Sequence, residues 1–309
     1  MNNHPRPLEA VSNKNVPPIT DGTLGLLEEI SRQRRRGKLS DEQLLAITEG
    51  RDPFSLKWYD VIVRRCQSQL TSVLKRPIVV PPPPALITPE LVEKLSQFNM
   101  IPVYFPELDI DIKFTVEKGQ WIKLNDLFYN NLGPGVNDSP RIDLAATKIK
   151  AGWYSIDLTM TPSADYDDIQ IYPNDPLFPL IYRLRQEKKI YGFHKPTGSR
   201  FSLTSEEWET IVAPALANEI GLKQAQAVTR LEKAIEFNLI CNVYDKDRIT
   251  TNVWQWFADL YGPIGRLNGG DSGSGGPSHI NFHNRNDRNE YISGRCLVEF
   301  LPESVNSVS

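Results

Sequence analysis

The sequence predicts an α+β protein with a helical front. Three observations carry that prediction. Amphipathic, helix-length patterns fill roughly the first quarter of the chain, short strand-like runs between long polar connections dominate the later part, and Pro77 with Pro81-Pro82-Pro83-Pro84 stands between the two. An alternating parallel sheet is not expected, because strands and helices do not alternate. At 309 residues, 40% hydrophobic and 24% charged, the chain can bury one large core or one core plus a smaller helical unit. The formal charge of −3 gives no general attraction to nucleic acid or to anionic membranes. No apolar run approaches the ~18 residues of a membrane span. The start, Met1-Asn2-Asn3-His4-Pro5-Arg6-Pro7, lacks the apolar centre of a signal peptide, so the cytoplasm is the default expectation, with surface display by another route left open.

Residues 1–20 are rich in Asn and Pro without periodicity and are expected to be disordered. A helical region is predicted over 21–76. Leu24, Leu27 and Ile30 lead into the basic run 32–36, which reads as a solvated helix end. Ser40 with Gln43 forms a capping box, and Trp58, Ile62, Cys66 and Leu70 make one stripe of a helix over about 54–74. The prolines at 77–84 favour an extended spacer and mark the expected domain boundary.

From 85 to 301 a second domain is expected, followed by a tail at 302–309. Thr88 and Pro89 open a helix reaching about Phe98. Pro102–Phe105 and Ile110–Phe114 read as strands, and Trp153–Leu158 alternates like a half-buried one. Residues 174–190 predict a helix with Leu180, Ile181 and Leu184 inward. Thr204 with Glu207 caps another, and Ala225, Val228 and Leu231 suggest a helix continuing to Asn238. Short strands and long loops follow.

Chemistry is sparse. The glycines at 269–276 lack the Lys-Ser/Thr of a phosphate loop. Cys66, Cys241 and Cys296 are too scattered for a disulfide framework or zinc site and read as small buried hydrophobes. His279 and His283 would share one side of an extended segment, where weak metal capture competes with plain solvation. Asp165, Asp167 and Asp168, and Asp245 with Asp247, lack the calcium-loop pattern. They read as surface acids, an irregular structural calcium site being the alternative, and no other cofactor is implied. No local arrangement joins a nucleophile to a base, and Asp287 and Glu290 are expected to offset Arg285 and Arg288.

The stretch 268–295 is different in kind. Between Asn268 and Tyr291 it holds five Gly, five Asn, three Ser and two His, yet strand-like segments bracket it on both sides. A polar, small-residue loop held by a packed scaffold has the chemistry of an adaptable binding surface. A glycine-rich connection without function has the same composition.

Four motifs, in order, carry a family resemblance. Arg230-Leu231 followed by Glu236-Phe237-Asn238 resembles the Arg-Leu-Pro-Thr-x-x-Glu-Trp-Glu segment of formylglycine-generating-enzyme-like (sulfatase-modifying factor) domains. Asn252-Val253-Trp254-Gln255-Trp256 is similar to their Asn-Val-Trp-Glu-Trp, Gly269-Gly270 to their Gly-Gly-Ser-Trp, and Ile292-Ser293-Gly294-Arg295 to their Ile-Gly-Phe-Arg. The resemblance spans about 150–301 and implies a C-type-lectin-like fold. The oxidase members bind copper through a cysteine pair that 268–291 lacks, which argues against that activity. The resemblance also implies kinship with the variable proteins of diversity-generating retroelements in bacteria, archaea and phages, whose adenine-rich codons, Asn above all, are mutated just before this closing motif. It thus implies a non-enzymatic protein that binds a protein, peptide or glycan through a variable surface of Asp271, Ser272, Ser274, Ser278, His279, Asn281, His283, Asn284, Asn286 and Tyr291. Trp254, Trp256, Gly269, Gly270, Gly294 and Arg295 would be scaffold, with the large apolar side chains contributing ~1.5–3 kcal/mol each on burial. A diverged oxidoreductase and an assembly protein working through 1–76 are the alternative readings.

Overall fold

Cys66, Leu70 and Leu74 recur every four residues, and the helix they define, α1 (Asp60–Leu74), turns all three into the core. It ends at Lys75, whose left-handed backbone (φ 54°) stops the helix. The computed structural model describes residues 57–111, 113, 123–134, 140–159, 172, 174–192, 197–250 and 253–302. The chain divides into two compact units, Met1–Lys57 and Trp58–Ser309, and only the second is described below. The expectations for residues 1–56, the basic run and the Ser40 cap included, lie outside the described residues, as do Asp165, Asp167 and Asp168. The division falls before α1, not at the prolines: α1 packs into the main core together with downstream elements, and Ile78 and Val80 continue into it. Trp58, expected on the buried stripe, is 40% exposed.

Thr88 caps α2 (Pro89–Ser96) as expected, its hydroxyl accepting the Leu91 N–H at 3.2 Å. Then follow β1 (Met100–Phe105), β2 (Leu108–Asp109), the short α3 (Asp126–Tyr129), β3 (Gly133–Pro134), β4 (Pro140–Ile142), a 3-10 turn (Leu144–Thr147), β5 (Lys148–Ile149) and β6 (Gly152–Asp157). Ile110–Phe114 is not a strand where it is described. Asp111 instead closes a turn by accepting the Lys113 N–H at 2.9 Å. β6 is buried on both faces, so its sequence alternation does not mark a solvent side.

Helix α4 (Phe178–Gln186) buries Leu180, Ile181 and Leu184. Thr204 and Glu207 form the capping box of α5 (Ser205–Glu207), which widens into a π-helical turn (Trp208–Val212) and resumes as α6 (Ala213–Ile220). Pro214, with no N–H, cannot donate to the carbonyl four residues back, which accounts for the irregularity just before it. The helix expected through Ala225, Val228 and Leu231 is instead a strand, β7 (Ala227–Leu231), and the helix begins only at α7 (Ala234–Val243). The three-residue spacing that suggested a helix is broken by the strand's period of two: Val228 is exposed, while Ala227 and Leu231, four apart, share the buried face. Pairing with the last strand decides it.

The first sheet has the order β1-β6-β12-β7, all antiparallel, with β12 (Cys296–Phe300) between β6 and β7. The second has the order β10-β9-β8-β11. Here β8 (Trp254–Tyr261), β9 (Gly265–Gly269) and β10 (Ile280–Asn284) are antiparallel, and β11 (Ile292–Gly294) runs parallel to β8. The fold is therefore mixed α and β. Every residue of α7 is buried, which explains a helix apolar almost all round. Its polar members are satisfied: Arg230 grips Glu236 bidentately at 2.7 and 2.8 Å, and Asn238 donates to the Pro277 carbonyl at 3.0 Å. Among the described residues no helix is long and apolar enough to cross a membrane.

Candidate ligand-binding surface

Ladder partners share a face, so the register sorts the second sheet into two sides. Phe257, Leu267 and Ile280 point inward, with Phe237 of α7 against Phe257 at 5.3 Å between ring centres. Trp256, paired with Asn268, and Asn281 and His283 lie on the other side. Half of that outer side is covered: Trp256 donates its indole N–H to the Leu203 carbonyl at 3.0 Å and is 1% exposed. The uncovered half is where the polar stretch gathers.

There Trp254, His283, Asn289, Tyr291 and Ile292 surround a pocket of about 290 Å³. His279 stands edge-on to Trp254 at 5.3 Å and His283 edge-on to Trp256 at 6.2 Å, so the two histidines do share a side. The buried Asn268 amide lies 2.8 Å from His283 Nδ1. With the amide N–H donating, the imidazole proton resides on Nε2 and is offered as a donor. Among the described residues no three His, Cys, Asp or Glu side chains gather as metal ligands. Asp245 is held at 2.9 Å by Arg248. All three cysteines are buried, and burial pushes their thiols above the ordinary range.

The expected loop is more structured than its composition implies. Two 3-10 turns, Ser272–Ser274 and Gly276–Ser278, lead into β10, an edge strand. Side chains occupy that edge: Asn281 Oδ1 accepts the Phe282 N–H at 2.8 Å, Asp287 Oδ2 of the following turn accepts the Asn284 N–H at 3.2 Å, and Asn125, from before α3, donates to the Ile280 carbonyl at 2.9 Å. Asn284 Oδ1 receives the Asn286 N–H at 3.0 Å, which leaves Asn286 exposed at the turn tip. Tyr291 is 48% exposed. Ser272, Ser274 and Ser278 sit on the 3-10 turns and do not line the pocket. Asp271 departs from the expectation: at 3% exposure it belongs to the base of the loop, its carbonyl accepting the Gly276 N–H at 2.8 Å. Trp254, expected as scaffold, is a wall of the pocket. Asn289 and Ile292 were not singled out by sequence, since nothing distinguishes Asn289 from its neighbouring asparagines.

Arg285 and Arg288 are neutralised by the start of α5, not by Asp287 and Glu290. Glu207 takes both Arg288 Nη atoms at 2.6 and 2.8 Å, and Glu206 lies 3.8 Å from Arg285. The scaffold glycines have steric reasons. Gly270 holds φ +101° with Phe237 beside it, and a Cβ on Gly269 would lie 2.1 Å from the His279 carbonyl. At the other end a Cβ on Gly294 would lie 2.3 Å from Trp208.

Arg295, 1% exposed, closes the stretch by donating to the carbonyls of Asp157 at 3.0 Å and Thr159 at 2.6 Å. It belongs to a buried charge network that sequence reading missed. Asp157 pairs with Arg200, which also grips Asp175, while Arg248 pairs with Glu232 at 2.9 Å and donates to the Asp157 carbonyl. Tyr172 lies under both Arg200 and Arg295, 4.7 and 5.2 Å from its ring centre, and its hydroxyl meets Ser293 Oγ at 2.6 Å. Burial pushes the Asp157 carboxyl up, but the Arg200 and Arg295 guanidinia outweigh it and hold the group well below the usual carboxylate range. Compared with family models, curated proteins and solved structures, the chain matches none.

Proposed function

We propose that this protein is a non-enzymatic ligand-binding protein that displays a sequence-variable surface on a C-type-lectin-like scaffold, as a target of a diversity-generating retroelement. The observation that carries this reading is the sorting of side chains along 271–291. The buried positions are Asp271, Gly276, Pro277 and Ile280, whereas the Asn, His, Ser and Tyr side chains expected to vary are half-buried or exposed. Substitution at such exposed sites usually changes stability by no more than about 0.5 kcal/mol. The sheets of short strands, the long connections and the terminal strand β12 returning between β6 and β7 also suit that fold. The ligand is a protein, peptide or glycan, with Trp254 and Tyr291 offering ring faces and His283 and Asn289 offering hydrogen bonds.

The test has two arms. Joint replacement of the exposed Ser274, Asn286 and Tyr291 by other polar residues is expected to leave the melting temperature nearly unchanged. A collapse in stability overturns the idea that they are free to vary. In the source genome, a near-copy of the DNA encoding residues 268–295, differing mainly at adenines and lying beside a reverse-transcriptase gene, is expected. Its absence removes the diversification mechanism.

A further inference from the structure

A second pocket, of about 530 Å³, lies at the far end of β8 from Trp254. Four elements converge on it: β8 through Asp259 and Leu260, the β8–β9 turn through Pro263, β4 with the 3-10 turn after it through Arg141 and Asp143, and the start of α7 through Lys233. Its size falls within the ~300–1,000 Å³ of small-molecule sites.

The backbone is deformed to aim a carboxylate into this place. The β8–β9 register slips between Trp256 and Leu260, and the carbonyls of Phe257 and Ala258 within the bulge accept Arg266 Nη1 at 3.4 and 3.2 Å. Arg266 is in turn held by Glu209 at 2.7 Å. Bulges of this kind re-aim side chains next to functional sites. Here the result is that Asp259 turns toward α7, where its Oδ2 accepts the Ala234 N–H at 2.7 Å. The side chain lines the pocket although the residue is only 8% exposed.

We propose that this pocket binds a small zwitterion of the amino-acid class, its ammonium group on the Asp259 carboxylate and its carboxylate on Arg141 and Lys233. The wall carries both signs. A purely anionic ligand would be set against Asp259 and Asp143, and a purely cationic one against Arg141 and Lys233. Leu260 and Pro263 supply apolar surface for a side chain. Burial raises the Asp259 carboxyl to about 6; the Ala234 N–H pulls it down, as does Lys233, Glu236 pushes it up and Arg230 pulls it down. Arg141 and Asp143 line the same pocket. An incoming ammonium therefore displaces the residual proton, and binding strengthens as pH rises.

The experiment titrates the full chain with the common L-amino acids, one at a time at millimolar concentration, by thermal shift, and measures any hit by calorimetry. At least one is expected to raise the melting temperature, and to bind about tenfold more weakly at about pH 5 than at about pH 8. Asp259→Asn keeps an acceptor for the Ala234 N–H and is expected to weaken the hit by at least about tenfold while remaining folded. The proposal is overturned if no amino acid raises the melting temperature, or if the hit binds Asp259→Asn as tightly as the parent.

Discussion

Replacing Asp157 by Asn tests whether the buried charge network holds the end of the polar stretch in place. Asp157 is 2% exposed and serves two arginines, Arg200 at 0% and Arg295 at 1% exposure. Arg200 would keep Asp175, but Arg295 would lose the carboxylate 3.6 Å from its Nη1. Removing one partner of a buried pair costs about 3–5 kcal/mol, because the remaining charge stays desolvated. For a unit of this size that is roughly a 10 °C drop in melting temperature. The pH dependence has a definite sign. The folded-state pKa of Asp157 is depressed, so its stabilisation is fully present above the unfolded value, 3.8, and is lost as pH falls below it toward the folded value. Urea denaturation at about pH 7 should therefore show the full gap between parent and variant, and the gap should narrow below about pH 4. Glu219→Gln is the control, since its pair with Arg183 is solvent-exposed on both sides and such pairs are worth at most about 1 kcal/mol. A loss from Asp157→Asn no larger than that of the control would refute the reasoning.

Three further outcomes are expected. Gly294→Ala drives a methyl into Trp208, and overpacking of this kind costs about 1–3 kcal/mol, read as a lowered urea midpoint. Glu207→Ala removes the acceptor shared by the Thr204 N–H, the Tyr191 N–H and Arg288, so amide exchange at residues 285–291 should quicken although they lie far away in sequence. Unchanged exchange there would show that the turn is held by other means. Asp259→Asn should raise stability above about pH 6 and leave it unaltered below about pH 4. A raised folded pKa means that the unfolded chain gives up its proton first, and the difference between 3.8 and about 6 corresponds to roughly 3 kcal/mol.

What the sequence revealed depended on how local the signal was. Thr88-Pro89 and the Thr204–Glu207 box were legible because a cap is written within four residues. β7 was misread because its identity rests on β12, which lies about as far away in sequence as Arg230 does from Leu297. The glycine- and asparagine-rich stretch announced itself by composition, and His279, His283 and Tyr291 do gather around Trp254. Composition could not show that Asp271 turns inward or that Asn289, unlike Asn286, faces the pocket. The charge network was illegible for a further reason. Asp157, Arg200, Glu232, Arg248 and Arg295 come from five separate segments, and all but Arg295, expected as scaffold through the family resemblance, read alone as ordinary surface charges.

Under the proposed function, the sheet of β8, β9 and β10 divides stability and recognition between different side chains, and the energies explain why such a separation can hold. Inward residues such as Phe257, Leu267 and Ile280 are each worth about 1.5–3 kcal/mol through burial. Exposed residues beside the pocket, such as Asn286 and Tyr291, usually change stability by no more than about 0.5 kcal/mol when exchanged. One inward loss therefore outweighs several outward changes together. Trp254 is the exception that locates the border: half-buried, it packs on the core with one part of its ring while His279 stands edge-on to it and the pocket opens beside it. On the proposed reading, a substitution at Trp254 disturbs folding and binding at once, whereas exposed positions on the turn after β10 alter binding with little effect on folding.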